Sequence, residues 1–255
     1  MNWSVKWGIF VEKMTAQDDK GGYIFVKMLI NGLDTTIKIA VLGLIIGIFI
    51  GTLVATVKVA PKYKLIIRIL DKICAVYTAF FRGTPIMVQL LLAWYVFLPM
   101  IGVKGLDPEV VGIAIFGLNS GAYVSEIMRG GITSVDRGQL EAGRAVGLSY
   151  PVAMIKIVIP QAIKNILPTL GNEFITLIKE TSVLSFITVF DLYNVLRTIA
   201  TANQNYEFVI PYIVLGLIYI VLVLIITLLV KIIEKIFAKS DRKTEKTKKA
   251  KKVKA

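Results

Sequence analysis

The chain has 255 residues, of which 56% are hydrophobic and 18% charged, with a formal net charge of +13 and a mean hydropathy of +0.72. This composition is typical of a polytopic membrane protein rather than of a soluble domain. A single cysteine, Cys74, excludes an internal disulfide, and the absence of histidine removes a common metal ligand and the commonest general base. We therefore expect no metal centre, no cofactor and no enzymatic activity of the chain's own.

Five apolar blocks are candidate membrane spans, because a helix needs about 20 residues to cross roughly 30 Å of hydrocarbon. The first block carries Gly43, Gly47 and Gly51 at every fourth position, which puts a smooth stripe on one helix face and suits close helix packing. The fourth block is much more polar than the others. We predict an all-α membrane protein with about five transmembrane helices, at residues 37–57, 84–100, 110–128, 167–190 and 211–230.

The basic residues of the short connections predict the orientation. Six Lys and Arg residues lie between the first and second blocks, whereas the turn after the second block offers only Lys104 against Asp107 and Glu109. The first connection should therefore be cytoplasmic, and five spans then leave the amino terminus outside the cell membrane and the carboxyl terminus inside. We expect an extracytoplasmic segment at 1–30 and a transmembrane domain at 31–237, with a cytoplasmic loop at 136–166.

Residues 238–255 form a separate basic zone, with nine basic and two acidic residues. This stretch cannot bury a core, and its composition predicts disorder. The favoured interpretation is a cytoplasmic anchor that is attracted to anionic lipid headgroups. Binding to nucleic acid is not expected, because the tail has no interleaved aromatic residues and the remaining chain is membrane-embedded.

The connector EAGRAVGLSYPVAMIKIVIP, residues 141–160, is patterned although it is too polar to span a bilayer. Its pattern predicts a helix, a turn and a short helix. A cytoplasmic loop needs no apolar face unless something covers it, so one interpretation is a docking site for a soluble partner. The other interpretation is a helix that lies on the membrane surface or packs beneath its own bundle. The pattern alone does not decide between the two interpretations. The apolar positions are Val152, Ile155, Ile157 and Ile159, before Pro160.

The connector resembles the EAA loop in the membrane subunits of ATP-binding cassette (ABC) importers. The matching pattern is Glu141-Ala142-Gly143, three residues, Gly147, nine residues, then Ile157-Val158-Ile159-Pro160. Gly143 and Ile159 depart mildly from the alanine and leucine of that family. Three further segments, FRGTPIMVQL (81–90), NSGAYVSEIMRGGI (119–132) and GNEFITLIKETSVLS (171–185), resemble its polar amino acid permease branch, the histidine/glutamine/arginine type, and the similarity covers roughly residues 31–230.

The resemblance implies a role and a set of partners. In that family the loop supplies a coupling helix that inserts into a cleft of an ATPase subunit, which would put a turn at Gly147 and the docking helix at 149–157. The chain has no GxxxxGK[ST] phosphate loop, so ATP hydrolysis is expected on separate ABC ATPase subunits. A second permease copy or a paralogous permease chain, an extracytoplasmic solute-binding protein and a polar amino acid substrate are also implied. The residues implied in ATPase coupling are Glu141, Ala142, Gly147, Ser149, Pro151, Val152, Ile155 and Pro160.

Polar side chains inside the apolar blocks indicate the substrate path, because intramembrane charges are costly and usually face a cavity or a partner. In the fourth block Asn172, Thr176 and Glu180 recur at helical spacing, and Glu173 shares their face. An amino acid needs an acceptor for its ammonium and donors for its carboxylate, and Glu173 is the predicted ammonium acceptor. The candidate substrate-binding residues are Asn119, Asn172, Glu173, Thr176, Lys179 and Glu180.

Several of these polar residues also have a structural interpretation. Lys179 fits either the substrate carboxylate or a structural pair with Glu180. Glu126 and Arg129, at i and i+3, are expected to satisfy each other. Arg82 is expected to anchor the cytoplasmic start of its helix rather than to bind substrate. The main alternative for the whole chain is an ion-coupled secondary transporter or channel that uses the intramembrane Glu residues, which would leave the patterned connector unexplained.

Overall fold

The computed structural model describes residues 2–19, 21–201 and 208–253, and this part of the chain is helical apart from its connections and one isolated β-bridge between Gln17 and Tyr23. The all-α prediction is confirmed. In chain order the helices are α1 (Trp3–Thr15), α2 (Ile24–Val59), α3 (Leu65–Gly83), α4 (Ile86–Met100), α5 (Pro108–Thr133), α6 (Arg137–Ala145), α7 (Tyr150–Ile187), α8 (Leu192–Thr201) and α9 (Val209–Val253).

Helices α2, α5 and the first part of α9, Val209–Ile236, are each long and apolar enough to cross a membrane. Two bent pairs, α3 with α4 at 104° and α7 with α8 at 50°, pass the same test together, so the described chain has three to five candidate spans. The predicted blocks fall on α2, α4, α5, α7 and α9. Helix α4 is only about 22 Å long, so by itself it is shorter than the hydrocarbon core of about 30 Å.

The centre of the fold is the seam between α2 and α5. A Cβ atom added at Gly47 would lie 2.6 Å from Ser120 Oγ, so only glycine allows the two backbones to come this close. The contacts advance by four residues on both helices, which shows that α2 and α5 run parallel in constant register. The predicted smooth stripe is confirmed, and it pairs Gly43 with Phe116, Gly47 with Ser120 and Gly51 with Val124.

Three apolar clusters attach the other helices to this seam. The largest surrounds Phe116 and includes residues of α4, α7 and α9. A second, around Leu192 and Leu196, joins α1, α2, α8 and α9. The third, around Val158 and Ile166, lies where α5 leads into the connector and joins α5, α6 and α7. The connector is therefore packed against the bundle.

Helix α9 begins at Val209, so Pro211 lies in the first turn, where its missing N–H costs no hydrogen bond. The helix continues to Val253, whereas composition predicted disorder from residue 238. Lys, Glu and Ala have high helix propensity, which favours a helical backbone in this stretch. The last two residues of the predicted tail, 254 and 255, lie outside the described residues.

Candidate functional site

The connector folds as two helices joined at Gly147. Helix α6 ends at Ala145, and Gly147 has a φ of +88°, a left-handed conformation that glycine adopts without strain. Helix α7 then begins at Tyr150, with Pro151 in its first turn. The turn that the resemblance implies at Gly147 is present.

The second helix of the connector is not short. It passes through a π-turn at Met154–Val158 and continues beyond Pro160 into the body of α7. A proline inside a helix removes one backbone hydrogen bond and crowds the carbonyl four residues earlier, and the wider π-turn accommodates this defect. The segment predicted as a short docking helix, 149–157, is therefore the beginning of α7, the helix that carries the fourth block.

Close packing holds the connector in place. Gly143 is buried, and a Cβ atom there would lie 2.7 Å from Ile157 Cδ1 and 3.3 Å from Ala153 Cβ. The glycine that stands in place of the second alanine of the EAA pattern thus lets α6 approach the start of α7. Asn165 Nδ2 on α7 also donates a hydrogen bond to Ser134 Oγ at 2.8 Å, which ties α7 to the end of α5.

The outer surface of the connector carries apolar side chains that the described chain does not cover, beside charged ones such as Arg144 and Lys156. Ile155 is 63% exposed and Val146 is 78% exposed, whereas Val152 is half-buried. The Glu141 carboxylate forms no hydrogen bond or ion pair with any described residue. Sequence reasoning missed Val146, although its position beside the Gly147 turn is a signal of exposure. The other predicted coupling residues, Ala142, Gly147, Ser149, Pro151 and Pro160, are also exposed.

The polar stripe of α7 lies on the side of the helix that its apolar contacts leave open. Leu177 is fully buried in the core, whereas Asn172 is exposed and Glu173, Thr176 and Glu180 are half-buried. The Thr176 hydroxyl donates to the carbonyl oxygen of Asn172 at 3.1 Å. The structure thus brings these four predicted residues together on one partly open face.

Within the described part of the chain, the two carboxylates of this stripe have no cationic partner. Neither Glu173 nor Glu180 lies within ion-pairing distance of a Lys or Arg among the described residues. Glu173 lies beside Ser120 of α5, whose buried hydroxyl makes no hydrogen bond of ordinary length within the described chain. This pair of polar groups sits next to the glycine seam, where α2, α5 and α7 meet.

Lys179 lies in a different space from the two carboxylates. It lines a cavity of about 550 Å³ between α7, α8 and α9, together with Ser182 and Tyr219. The Tyr219 hydroxyl is buried and makes no ordinary hydrogen bond to the described residues. Successive side chains of a helix point about 100° apart, so Lys179 and Glu180 face different sides of α7. The structural pair of Lys179 with Glu180 that the sequence allowed is not formed.

Asn119 is engaged inside the bundle. Its Nδ2 donates to the carbonyl oxygen of Phe81 at 3.2 Å and to Gln89 Oε1 at 2.9 Å, and Gln89 Nε2 donates to the carbonyl oxygens of Phe81 and Thr84. These bonds satisfy carbonyl groups that are released where α3 and α4 separate. The structure therefore uses Asn119 to hold the bend and does not bring it to the open stripe of α7. Gln89, a polar residue inside an apolar block, is a signal that sequence reasoning missed.

Glu126 is the centre of an ionic cluster at the connector end of the bundle. Arg129 Nη2 lies 2.8 Å from its carboxylate, which confirms the expected pair, and Lys58 Nζ of α2 lies 2.6 Å away. Arg82 lies at the end of α3, 4.0 Å from the same carboxylate and over the ring of Tyr123. Sequence reasoning counted Lys58 only as an orientation signal. Its place seven residues after the last glycine of the α2 stripe puts it on the face toward α5.

The region that holds these features, residues 43–239, matches the family described as binding-protein-dependent transport system inner membrane component. The chain belongs to this family. The permease is 39% identical over 197 residues to a putative glutamine transport system permease protein of Rickettsia bellii, a match that covers 77% of this chain and 87% of that protein. It is 38% identical over 198 residues to an arginine transport system permease protein of Bacillus subtilis, covering 77% of this chain and 86% of that protein.

Solved structures agree with the fold of the permease. A chain of an amino acid ABC transporter, crystallised with histidines, superposes with a TM-score of 0.75 at 37% identity, covering 83% of this chain and 94% of that one. An inward-facing methionine ABC transporter superposes with a TM-score of 0.67 at 16% identity, over 83% of this chain and 97% of that one, and shares the fold alone. The resemblance to the multi-pass permease subunits of ABC importers is confirmed, and the ion-coupled secondary transporter is not favoured.

Proposed function

We propose that the permease forms the transmembrane pathway of an ABC importer for a polar amino acid in the cell membrane. We further propose that the connector couples this pathway to ATP hydrolysis on separate ATPase subunits. The names of its relatives support the substrate class, since they include glutamine, arginine and L-cystine permeases. The sequence itself carries no phosphate loop, which is consistent with ATP hydrolysis on a partner chain.

The exposed connector is the observation that carries the coupling proposal. The apolar side chains of Ile155 and Val146 are exposed on a segment that is packed against the bundle. The Glu141 carboxylate has no partner in the described chain. A partner that covers these side chains gains the free energy of burying them. The continuity of residues 149–157 with α7 supports a direct mechanical link, because a displacement of this segment moves the helix that carries Glu173.

The polar stripe of α7 supports a pathway shared between two permease chains. A half-buried carboxylate in contact with lipid is costly, and no described residue covers Asn172. A second copy or a paralogous permease chain placed against this face would make it the wall of a polar path. Glu173 then accepts the substrate ammonium, Asn172, Thr176 and Glu180 orient the substrate, and Lys179 binds the carboxylate from the adjoining cavity.

The proposed coupling role of the connector also gives the orientation of the chain in the membrane. The connector and the basic first connection lie at the end of the bundle where Lys58 meets Glu126, and we place this end in the cytoplasm together with the carboxyl-terminal tail. The amino terminus then lies outside, on the side from which an extracytoplasmic solute-binding protein delivers the amino acid.

The coupling proposal is tested by co-purification. Tagged permease is isolated from the membranes of its host, and the associated ATPase is detected by ATP hydrolysis and by azido-ATP labelling. Ile155→Asp places a charge where the partner buries an apolar side chain, so we expect the ATPase to be lost while membrane insertion stays normal. Tyr63→Asp is the matched control, because Tyr63 is 88% exposed in the connection between α2 and α3. Equal recovery of ATPase with Ile155→Asp and with the unmodified chain would refute the docking surface.

The substrate class is tested with the reconstituted complex and its solute-binding protein. Glutamine, arginine and cystine are supplied in turn, and we expect at least one of them to stimulate ATP hydrolysis and to enter the vesicles. Uptake that follows an ion gradient in the absence of ATP would instead indicate a secondary transporter.

A further inference from the structure

The amino-terminal helix α1 lies outside the family match, which begins at residue 43, and the proposed function gives it no role. Its 13 residues span about 20 Å, which is too short to cross a bilayer core of about 30 Å. One side of α1 packs on the bundle: Phe10 is 4% exposed and its ring lies 6.5 Å from that of Phe25, in the first turn of α2. Met14 packs into the cluster that contains Phe25 and Leu192. Helix α1 is thus fixed at the membrane end where α2 begins.

The adjoining side of α1 is apolar and is not covered by the described chain. Trp3, Trp7 and Val11 recur at i, i+4 and i+8 and are 56%, 47% and 49% exposed. The Trp7 ring also contacts the ring of the anchored Phe10 at 6.0 Å, edge to face. The rest of the exposed surface carries Ser4, Gly8, Glu12 and Thr15, together with Val5, which is 49% exposed. The apolar surface of α1 is therefore wider than its contact with the bundle.

The surroundings of α1 indicate what covers this face. Exposed apolar residues continue along α2 from its first turn, with Ile24 41%, Val26 44% and Ile30 60% exposed. These turns precede the block predicted to span at 37–57, but Ile24–Val59 as a whole is long and apolar enough to cross a membrane, so its first turns are suited to contact with lipid. Because α1 is anchored at this first turn, its uncovered face adjoins the same lipid. Tryptophan is enriched at the boundary between lipid and water, where its ring is in the hydrocarbon and its N–H reaches polar groups.

We propose that α1 is an interfacial helix, which lies in the headgroup region of the leaflet where α2 begins and inserts Trp3 and Trp7 into the lipid. Its partner is the bilayer surface rather than a second protein. The arrangement braces the start of α2, and through it the α2–α5 seam, against the plane of the membrane.

The test uses the small number of tryptophans in the chain, which are Trp3, Trp7 and Trp94. Trp94→Phe leaves only the two tryptophans of α1 as fluorophores. The variant complex is reconstituted in phosphatidylcholine nanodiscs whose acyl chains carry bromine either near the headgroup or near the bilayer centre. We expect a blue-shifted emission that loses intensity with both bromolipids, and more with bromine near the headgroup. Emission at the wavelength of water-exposed tryptophan, unchanged by either bromolipid, would overturn the proposal.

A matched control and a second label keep the result interpretable. The double variant Trp3→Phe/Trp7→Phe retains only Trp94, which packs against the buried cluster around Phe116, and it reports quenching of the bundle itself. Emission that responds to added solute-binding protein but not to bromolipid would assign the face to that protein and overturn the lipid assignment. If Trp94→Phe does not fold, a spin label on Trp3→Cys in a Cys74→Ser chain serves instead. Greater access of oxygen than of a water-soluble nickel chelate supports insertion, and the reverse overturns it.

Discussion

Two sets of carboxylates on the membrane helices of the permease have opposite surroundings. Glu126 on α5 lies within 4.0 Å of three cationic side chains from three different helices. Glu173 and Glu180 on α7 have no cation at ion-pairing distance among the described residues. Because an unpaired carboxylate away from water is costly, the paired Glu126 stabilises the fold and the two unpaired carboxylates of α7 lower its stability. This difference is consistent with the substrate role that we propose for the α7 residues.

The largest effect should come from breaking the Glu126 cluster. Glu126→Gln leaves Lys58, whose side chain is 11% exposed, without its carboxylate partner. Breaking a buried ion pair by removing one partner costs about 3 kcal/mol, and residual exposure keeps the loss at the lower end of the observed range. Denaturant unfolding in mixed micelles measures it. The double variant Lys58→Met/Glu126→Gln removes both charges and should recover most of the loss. Single variants that unfold at the same denaturant concentration as the unmodified chain would contradict the framework role.

Glu173→Gln should reduce transport without reducing stability, the opposite of what we expect for Glu126→Gln. The substitution keeps size and hydrogen bonding but removes the charge that we assign to the substrate ammonium, an interaction worth about 1.5–3 kcal/mol. Substrate-stimulated ATP hydrolysis should therefore fall by roughly 10- to 100-fold. The melting temperature of the complex should stay equal or rise, since a desolvated charge is removed. Normal transport by this variant would place the ammonium acceptor elsewhere.

Lys179→Gln tests whether Lys179, which lines the cavity between α7, α8 and α9, binds substrate or stabilises the fold. Lys179 makes no ion pair with Glu180, so we expect unchanged stability, with uptake reduced by about tenfold or less because the residue is exposed and its charge is screened. Transport at saturating substrate should be affected less than transport at low concentration. A drop in unfolding free energy comparable to that of Lys58→Met would instead reveal a structural lysine.

Arg129→Gln should have the smallest effect. Its side chain is 45% exposed and pairs with Glu126 one turn away on the same helix, an arrangement worth about 0.5 kcal/mol or less. Lys58 remains in place as the partner of Glu126. Comparing the unfolding free energies of Arg129→Gln and Lys58→Met shows which of the two cations contributes more to stability. A larger loss for Arg129→Gln than for Lys58→Met would contradict this prediction.

Local patterns in the sequence were sufficient for much of this description. The glycines of α2, the positions of the apolar blocks, the turn at Gly147 and the Glu126–Arg129 pair depend on spacing within a single helix or turn, which sequence order displays directly. The extent of α7 beyond Pro160 could not be predicted in this way. A proline predicts a helix end, and only the π-turn before it and the packing around Val158 keep the helix continuous.

The sequence by itself determined the helical membrane class, the connector pattern and the polar face of α7, because each follows from residue order at helical period. The tertiary structure alone decided how the polar residues are used. It placed Lys58 beside Glu126, engaged Asn119 with Phe81 and Gln89, and left Glu173 without a cation. Whether a buried charge is paired depends on contacts between helices that are far apart in the chain. The sequence around a residue does not show which distant side chains lie within ion-pairing distance of it.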